Sequence, residues 1–265
     1  MPEWLAVVAL GLIEGVTEFL PISSTGHLLL VQGSGWLPRQ SDLFNIGIQS
    51  GTAVAVAVAF AGRLRDLVHR RHEAAARSFM LKLVTAFGLT AAGGLVLKHV
   101  GVTLPRDIAP VAWATLLGGA AIILVEWAMR RRAARSEVTW AVALAVGAAQ
   151  IFAAVFPGTS RSGATILVAL ALGLTRSMAT EFSFLLGVPT LLAAGGYEAL
   201  QVLQQPARSE TSWGMIALGT VVSALAALVA VRWLLRFIQT HTFMGFGWYR
   251  VALGLLILTG VPRGA

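Results

Sequence analysis

Two stretches of this chain concentrate groups that could do chemistry. The first is Glu14-Gly15-Val16-Thr17-Glu18-Phe19-Leu20-Pro21-Ile22-Ser23-Ser24-Thr25-Gly26-His27, with two acids, two serines and a histidine between apolar flanks. Glu14 and Glu18 are four residues apart, so a helix places both carboxylates on one face. In an apolar setting such a pair must share a proton, face a cation or face an arginine. Ser23 and Ser24 follow Pro21, where one of them suits a helix N-cap. A serine beside a histidine can also be a nucleophile with its base, which makes Ser24 and His27 candidates. The second stretch is Phe156-Pro157-Gly158-Thr159-Ser160-Arg161-Ser162-Gly163-Ala164-Thr165. Arg161 is the only basic residue between Arg135 and Arg176. It needs an anion, either Glu14 or Glu18 or a ligand. Ser160, Ser162 and Thr165 add hydroxyls, Gly163 adds close backbone approach, and a helix start there suits a phosphate. Glu181 and Gln49 are secondary candidates, read as a cap or an interhelical hydrogen bond.

The elements that carry these groups belong in a membrane. The chain has 265 residues, of which 57% are hydrophobic and 12% charged; a soluble domain has about twice that charge. Apolar runs fill nearly the whole length, which points to one membrane domain over 1–265. The absence of cysteine excludes disulfides and thiolate metal sites. The first apolar run carries Glu14 and Glu18 and lacks a basic start, so it does not read as a cleavable signal. The net charge is +8. Its arginines cluster in two short loops, which fits lipid headgroups and topology better than nucleic acid.

Both chemical stretches sit at breaks. Residues 2–20 read as a helix stopped by Pro21, and 24–31 as a second piece. Ten residues of helix reach about 15 Å, half of a hydrocarbon core of about 30 Å. The two pieces therefore form a re-entrant hairpin. Residues 138–156 and 160–172, split at Pro157-Gly158, repeat the pattern. Six crossings are predicted at 43–61, 79–97, 108–129, 180–202, 213–237 and 246–261.

The order is a short pair and three spans, twice over. An offset of 136 residues aligns Trp4 with Trp140, Gly11 with Gly147, Pro21 with Pro157, Ser24 with Ser160 and Gly51 with Gly187, and places Glu14 on Gln150. The predicted architecture is thus all-α and polytopic, with inverted repeats over about 1–130 and 137–265. Such repeats place their site near the midplane, where the breaks meet. Arg63, Arg65, Arg70, Arg71 and Arg77 follow the first span, and Arg130, Arg131, Arg132 and Arg135 follow the third. The loop after the second span has Arg106 beside Asp107. The positive-inside rule puts the Arg-rich loops in the cytoplasm and both termini outside.

The two motifs resemble the signatures of the bacterial undecaprenyl-diphosphate phosphatases of the bacitracin-resistance type. Phe44-Asn45-Ile46-Gly47-Ile48-Gln49-Ser50-Gly51 and Glu181-Phe182-Ser183-Phe184-Leu185-Leu186 fit the same family, and the likeness covers essentially the whole chain. Ser50 and Thr159 stand where the family tends to have larger apolar residues. The resemblance implies hydrolysis of undecaprenyl diphosphate to undecaprenyl phosphate and inorganic phosphate. That reaction recycles the lipid carrier for peptidoglycan synthesis and confers bacitracin resistance. The resemblance also implies a divalent cation, Mg²⁺ or Ca²⁺, a multi-pass protein of the bacterial inner membrane with its site open to the outer face, and assembly as a homodimer. In the expected mechanism Arg161, Ser160, Ser162, Thr165, Ser23, Thr25 and Gly163 bind the diphosphate. Ser24 attacks or positions a water, His27 or Glu18 takes the proton, and Glu14 with Glu18 holds metal. The alternative is a secondary transporter or lipid-carrier flippase using the same midplane site.

Overall fold

The computed structural model describes residues 1–101, 108–204 and 212–260. Arg106, Asp107 and Val261, used in the topology above, lie outside them. The described residues form eleven helices: α1 (Glu3–Thr17), α2 (Ser24–Gly33), α3 (Asp42–Ala59), α4 (Ala61–His69), α5 (Ala74–His99), α6 (Ile108–Met129), α7 (Trp140–Val155), α8 (Arg161–Ala171), α9 (Arg176–Gln204), α10 (Trp213–Phe237) and α11 (Met244–Gly260). The protein is a multi-pass helical membrane protein. Helices α5, α6, α9 and α10 are each long and apolar enough to cross a bilayer. Helices α3 and α4 together make a fifth candidate, bent by 62° where they meet at Phe60. Helix α11, with 17 residues, reaches about 26 Å at the usual rise.

The first break begins earlier than its proline predicts. Helix α1 stops at Thr17, and Glu18 serves as its C-cap, donating its N–H to the Glu14 carbonyl at 2.9 Å. Glu18, Phe19 and Leu20, expected inside the helix, lie in the turn. The reason is local: a proline ring clashes with the carbonyl four residues before it, here that of Thr17. Helices α2 and α8 have 10 and 11 residues, too short to span.

Packing brings the breaks together from opposite ends of the chain. Helix α1 lies on α10, α7 on α5, α3 on α9 and α10, α6 on α11, and α8 on α6, α7 and α9. Some of these contacts are backbone to backbone. A Cβ at Gly119 would stand 2.6 Å from the Gly247 carbonyl, so α6 and α11 touch where neither has a side chain. On the first break Phe19 stacks edge-on against Phe184 of α9, with centroids 5.0 Å apart. Beyond the breaks, buried Glu126 on α6 accepts two bonds from Arg176, at 2.9 and 2.5 Å, and one from the Phe243 N–H at 2.8 Å. Glu181 makes the expected interhelical hydrogen bond, in charged form: Arg63 Nε donates to it at 2.7 Å, tying α9 to α4. This end of the bundle also encloses a cavity of about 410 Å³ lined by Arg63, Asp66, Arg70, Glu73, Lys82 and Glu137. Its arginines are already paired with its acids, Arg63 with Asp66 and Arg70 with Glu73.

Candidate active site

The two breaks have the same backbone. Ser23 and Ser160 are the only non-glycine residues with positive φ among the described residues, at φ 71°, ψ 90° and φ 67°, ψ 111°. Each is an N-cap whose hydroxyl accepts from the N–H three residues on, Gly26 at 3.2 Å and Gly163 at 3.1 Å. The structural partner of Ser160 is therefore Ser23, not the Ser24 that a constant offset pairs with it. The second loop is one residue longer, and Gly158 takes up the difference at φ 93°, where a left-handed backbone favours glycine. A Cβ at Gly158 would also stand 2.9 Å from the Val111 Cα.

Capping by Ser23 leaves Ser24 free, at the first turn of α2. Its hydroxyl donates to Glu18 Oε2 at 2.5 Å. The other carboxylate oxygen, Oε1, accepts from Arg161 Nη2 at 2.9 Å. Serine, carboxylate and guanidinium thus form one chain across the two breaks. Ser24 is 6% exposed and Glu18 9%, so the chain is shielded from bulk solvent. The Arg161 guanidinium lies 5.0 Å from the centre of the Phe19 ring. Its space comes from Gly187, where a Cβ would run into Nη1. Arg161 Nε is buried and donates to nothing in the protein, so the fork keeps donor capacity for an anion.

Glu14 lies one turn before Glu18 on α1. It is wholly buried and neither carboxylate oxygen has a hydrogen-bond partner. A buried carboxylate in that state requires a proton or a cation. Two orphaned oxygens beside Glu18 fit a hard, oxygen-preferring cation. Among the described residues no group of three or more His, Cys, Asp or Glu side chains surrounds one point.

The other predicted residues divide by position. Ser162 donates to the carbonyls of Glu18 at 3.2 Å and Leu20 at 3.1 Å, so it braces the first break from the second. Thr165 turns inward, to the carbonyls of Arg161 and Ser162 and to the Ser183 hydroxyl. Thr25 is exposed at the start of α2. His27 does not meet Ser24. Its Nδ1 lies 2.8 Å from the Ser23 carbonyl, and its Nε2 lies 2.7 Å from the hydroxyl of Tyr249, whose ring is near-parallel to the imidazole. A carbonyl only accepts, so Nδ1 carries a proton, and in the neutral ring Nε2 accepts from Tyr249.

The chain matches known proteins over essentially its whole length. The family model described as bacitracin resistance protein BacA matches residues 7–256. The chain belongs to the bacitracin resistance protein BacA family. An undecaprenyl-diphosphatase of Rhizobium etli (strain CIAT 652) is 48% identical over 257 residues, covering 97% of this chain and 96% of that protein. The undecaprenyl-diphosphatase of Xanthomonas axonopodis pv. citri is 43% identical over 266 residues and covers both chains fully. That of Xylella fastidiosa is 43% identical over 260 residues, 98% of this chain and 99% of that protein.

In this BacA-family chain, sequence reasoning passed over two neighbours of the breaks, Tyr249 and Arg250 on α11. Arg250 is 1% exposed and bonds only to carbonyls: Thr115 from Nε at 3.1 Å, Pro21 from Nη1 at 3.4 Å, and Ala114 and Gly158 from Nη2 at 3.2 and 3.0 Å. The signal was present. Arg250 is the only lysine or arginine between Arg236 and Arg263, much the isolation that marked Arg161.

Proposed function

We propose that this protein hydrolyses undecaprenyl diphosphate to undecaprenyl phosphate and inorganic phosphate, recycling the lipid carrier for cell-wall synthesis and conferring bacitracin resistance. The names of its full-length relatives support the substrate. The observation that carries the reading is the Ser24–Glu18–Arg161 chain, with bonds of 2.5 and 2.9 Å. It puts a hydroxyl, a base and an anion receptor at one buried point.

The residues divide the work as follows. Arg161, with its free Nε and the N-terminus of α8, holds the diphosphate and neutralises charge as the terminal phosphoryl group moves. Ser24 Oγ attacks the terminal phosphorus, its proton passes to Glu18, and the anhydride P–O bond breaks to release undecaprenyl phosphate. Water then hydrolyses the phosphoserine to inorganic phosphate. The competing form has Ser24 orient a water that attacks directly. Of the two candidate bases, Glu18 is favoured over His27 by its contact with Ser24. Thr25, on the exposed start of α2, and His27 with Tyr249 flank the diphosphate. Glu14 and Glu18 would hold Mg²⁺ or Ca²⁺, which when bound supplies neutralising charge at the phosphate oxygens.

The wider architecture in this reading is an inverted repeat of six crossings and two re-entrant hairpins in the bacterial inner membrane. Several features support it. The caps match, and α1 packs on α10 as α7 packs on α5. Gly11 and Gly147, 136 residues apart, are the close-approach points of those two contacts: a Cβ on either would stand 2.9 or 3.0 Å from the carbonyl of Gly219 or Ala86. Arginine placement then puts the termini on the outer side, and the family resemblance implies a site open to that face. A homodimer is the proposed assembly.

Phosphate release from polyprenyl diphosphates by purified protein in detergent tests the core claim. Hydrolysis is expected, with loss on adding a chelator and recovery with Mg²⁺ or Ca²⁺. Transport needs two compartments and hydrolysis does not, so a protein inert in detergent yet active in sealed vesicles would favour the flippase reading.

A further inference from the structure

Arg250 has no place in the phosphatase reading, yet it is the largest fully buried side chain among the described residues. Buried arginines are ordinarily matched by a carboxylate or an anion. None of the ion pairs among the described residues includes Arg250. Its charge is met instead by four carbonyls, and their origins matter. Pro21 belongs to the first break and Gly158 to the second; Ala114 and Thr115 belong to α6 between them. Carbonyls in a break lack the helical partner they would otherwise have, and at membrane depth each must find a donor. One guanidinium supplies donors to both.

The surroundings are shaped to admit that group. A Cβ at Gly163, in the first turn of α8, would stand 2.9 Å from Arg250 Nη1. One at Gly118 would stand 2.7 Å from Cζ, and one at Gly119 would stand 2.8 Å from the Arg250 Cβ. Three glycines thus leave a slot for the side chain. The Thr115 hydroxyl, 3.3 Å from the Gly158 carbonyl, shares that acceptor.

We propose that Arg250 is a positioning residue that locks the two breaks in register, and so sets the Ser24–Glu18–Arg161 alignment without touching substrate. This rests on reading the breaks as one phosphatase site. The planar fork is what the role needs: a lysine keeps the charge but cannot bridge carbonyls from three segments at once. A shift of about 1 Å in reacting groups can cost about a hundredfold in rate.

The test is Arg250→Lys, with two readouts. The first is steady-state phosphate release. We expect kcat to fall by about a hundredfold with KM within a few-fold of wild type, because Arg161 still grips the diphosphate. The second does not depend on activity. The chain has no cysteine, so Val16→Cys and Ala154→Cys, both on exposed faces beside the breaks, accept spin labels cleanly. The distance distribution between them should broaden in Arg250→Lys. Gly118→Ala, which displaces the guanidinium and leaves its charge, should reproduce both effects more mildly and covers the case in which Arg250→Lys does not fold. Wild-type kcat in either variant, a raised KM at unchanged kcat, or a lowered kcat with an unbroadened distribution would overturn the proposal. A wild-type protein that releases no phosphate would sink the phosphatase reading instead, and the label distances would still judge the lock.

Discussion

The first and second breaks use one backbone for two chemistries. Each has a proline, a serine cap at positive φ and a glycine three residues after the cap. With the caps superposed, Ser24 occupies the place of Arg161, Thr25 that of Ser162, and His27 that of Ala164. The hydroxyl and the cation are thus alternatives at a single position, the first residue of a short helix. Lower on the preceding helices the contrast continues. Glu14 has two unpartnered oxygens, whereas Gln150 donates to Thr90 at 3.1 Å and Thr190 at 3.4 Å, knitting α7 to its neighbours. Glu14 leaves two oxygens without a donor; Gln150 spends its amide N–H groups on packing and leaves one oxygen without a donor. Two turns of one geometry carry different side chains, and in the proposed function these make one break reactive and the other receptive.

The comparison can be broken most severely at the residue after each cap. Ser24→Ala should reduce phosphate release below detection if the hydroxyl is the nucleophile; mass spectrometry of wild-type protein quenched during turnover should then find phosphate on Ser24. A residual rate within tenfold of wild type, with no phosphoserine, would move the attack to a water. Arg161→Ala should cost about a thousandfold or more, the range for removing a charge-stabilising arginine from phosphoryl transfer. It also strands Glu18, so a loss of about 3 kcal/mol or more in stability is expected, read as a lower unfolding temperature in detergent. Normal turnover by Arg161→Ala would remove it from the site.

The smallest effects concern what the breaks share. Ser23→Ala and Ser160→Ala should each destabilise by about 1 kcal/mol through loss of the cap. Ser23→Gly and Ser160→Gly should cost only a few tenths, since glycine caps well and relaxes a positive φ. Equal behaviour at the two sites would sharpen the equivalence of the turns. A large effect at one alone would show that only that serine does more than cap.

How far the sequence could be read depended on whether a signal was local. The ends of α6 and α10 coincide with the apolar runs at 108–129 and 213–237, because the runs themselves bound those helices. The end of α1 was misplaced by three residues, since the effect of Pro21 reaches back to the Thr17 carbonyl. The register of the second break slipped by one, because an inserted glycine looks like any other in this composition. At the site, an ion pair of Arg161 with Glu14 or Glu18 was one of the foreseen outcomes, and the partner is Glu18. The direction of His27 was not foreseen, because its partner Tyr249 lies 222 positions away. Arg250 was missed although its isolation was visible. Attention to reactive motifs hid a residue whose partners are all backbone.

The brace from Ser162 to the Glu18 and Leu20 carbonyls has a consequence for how the protein is made. Those acceptors emerge from the ribosome well before their donor. At about 5–20 residues per second, the interval to Ser162 is on the order of ten seconds, and to Arg250 longer still. Until then the first hairpin holds carbonyls that hydrocarbon cannot satisfy. In the proposed re-entrant topology it would wait in a wet place, at the interface or in the insertion channel, and enter the bilayer only when the second half arrives to receive it.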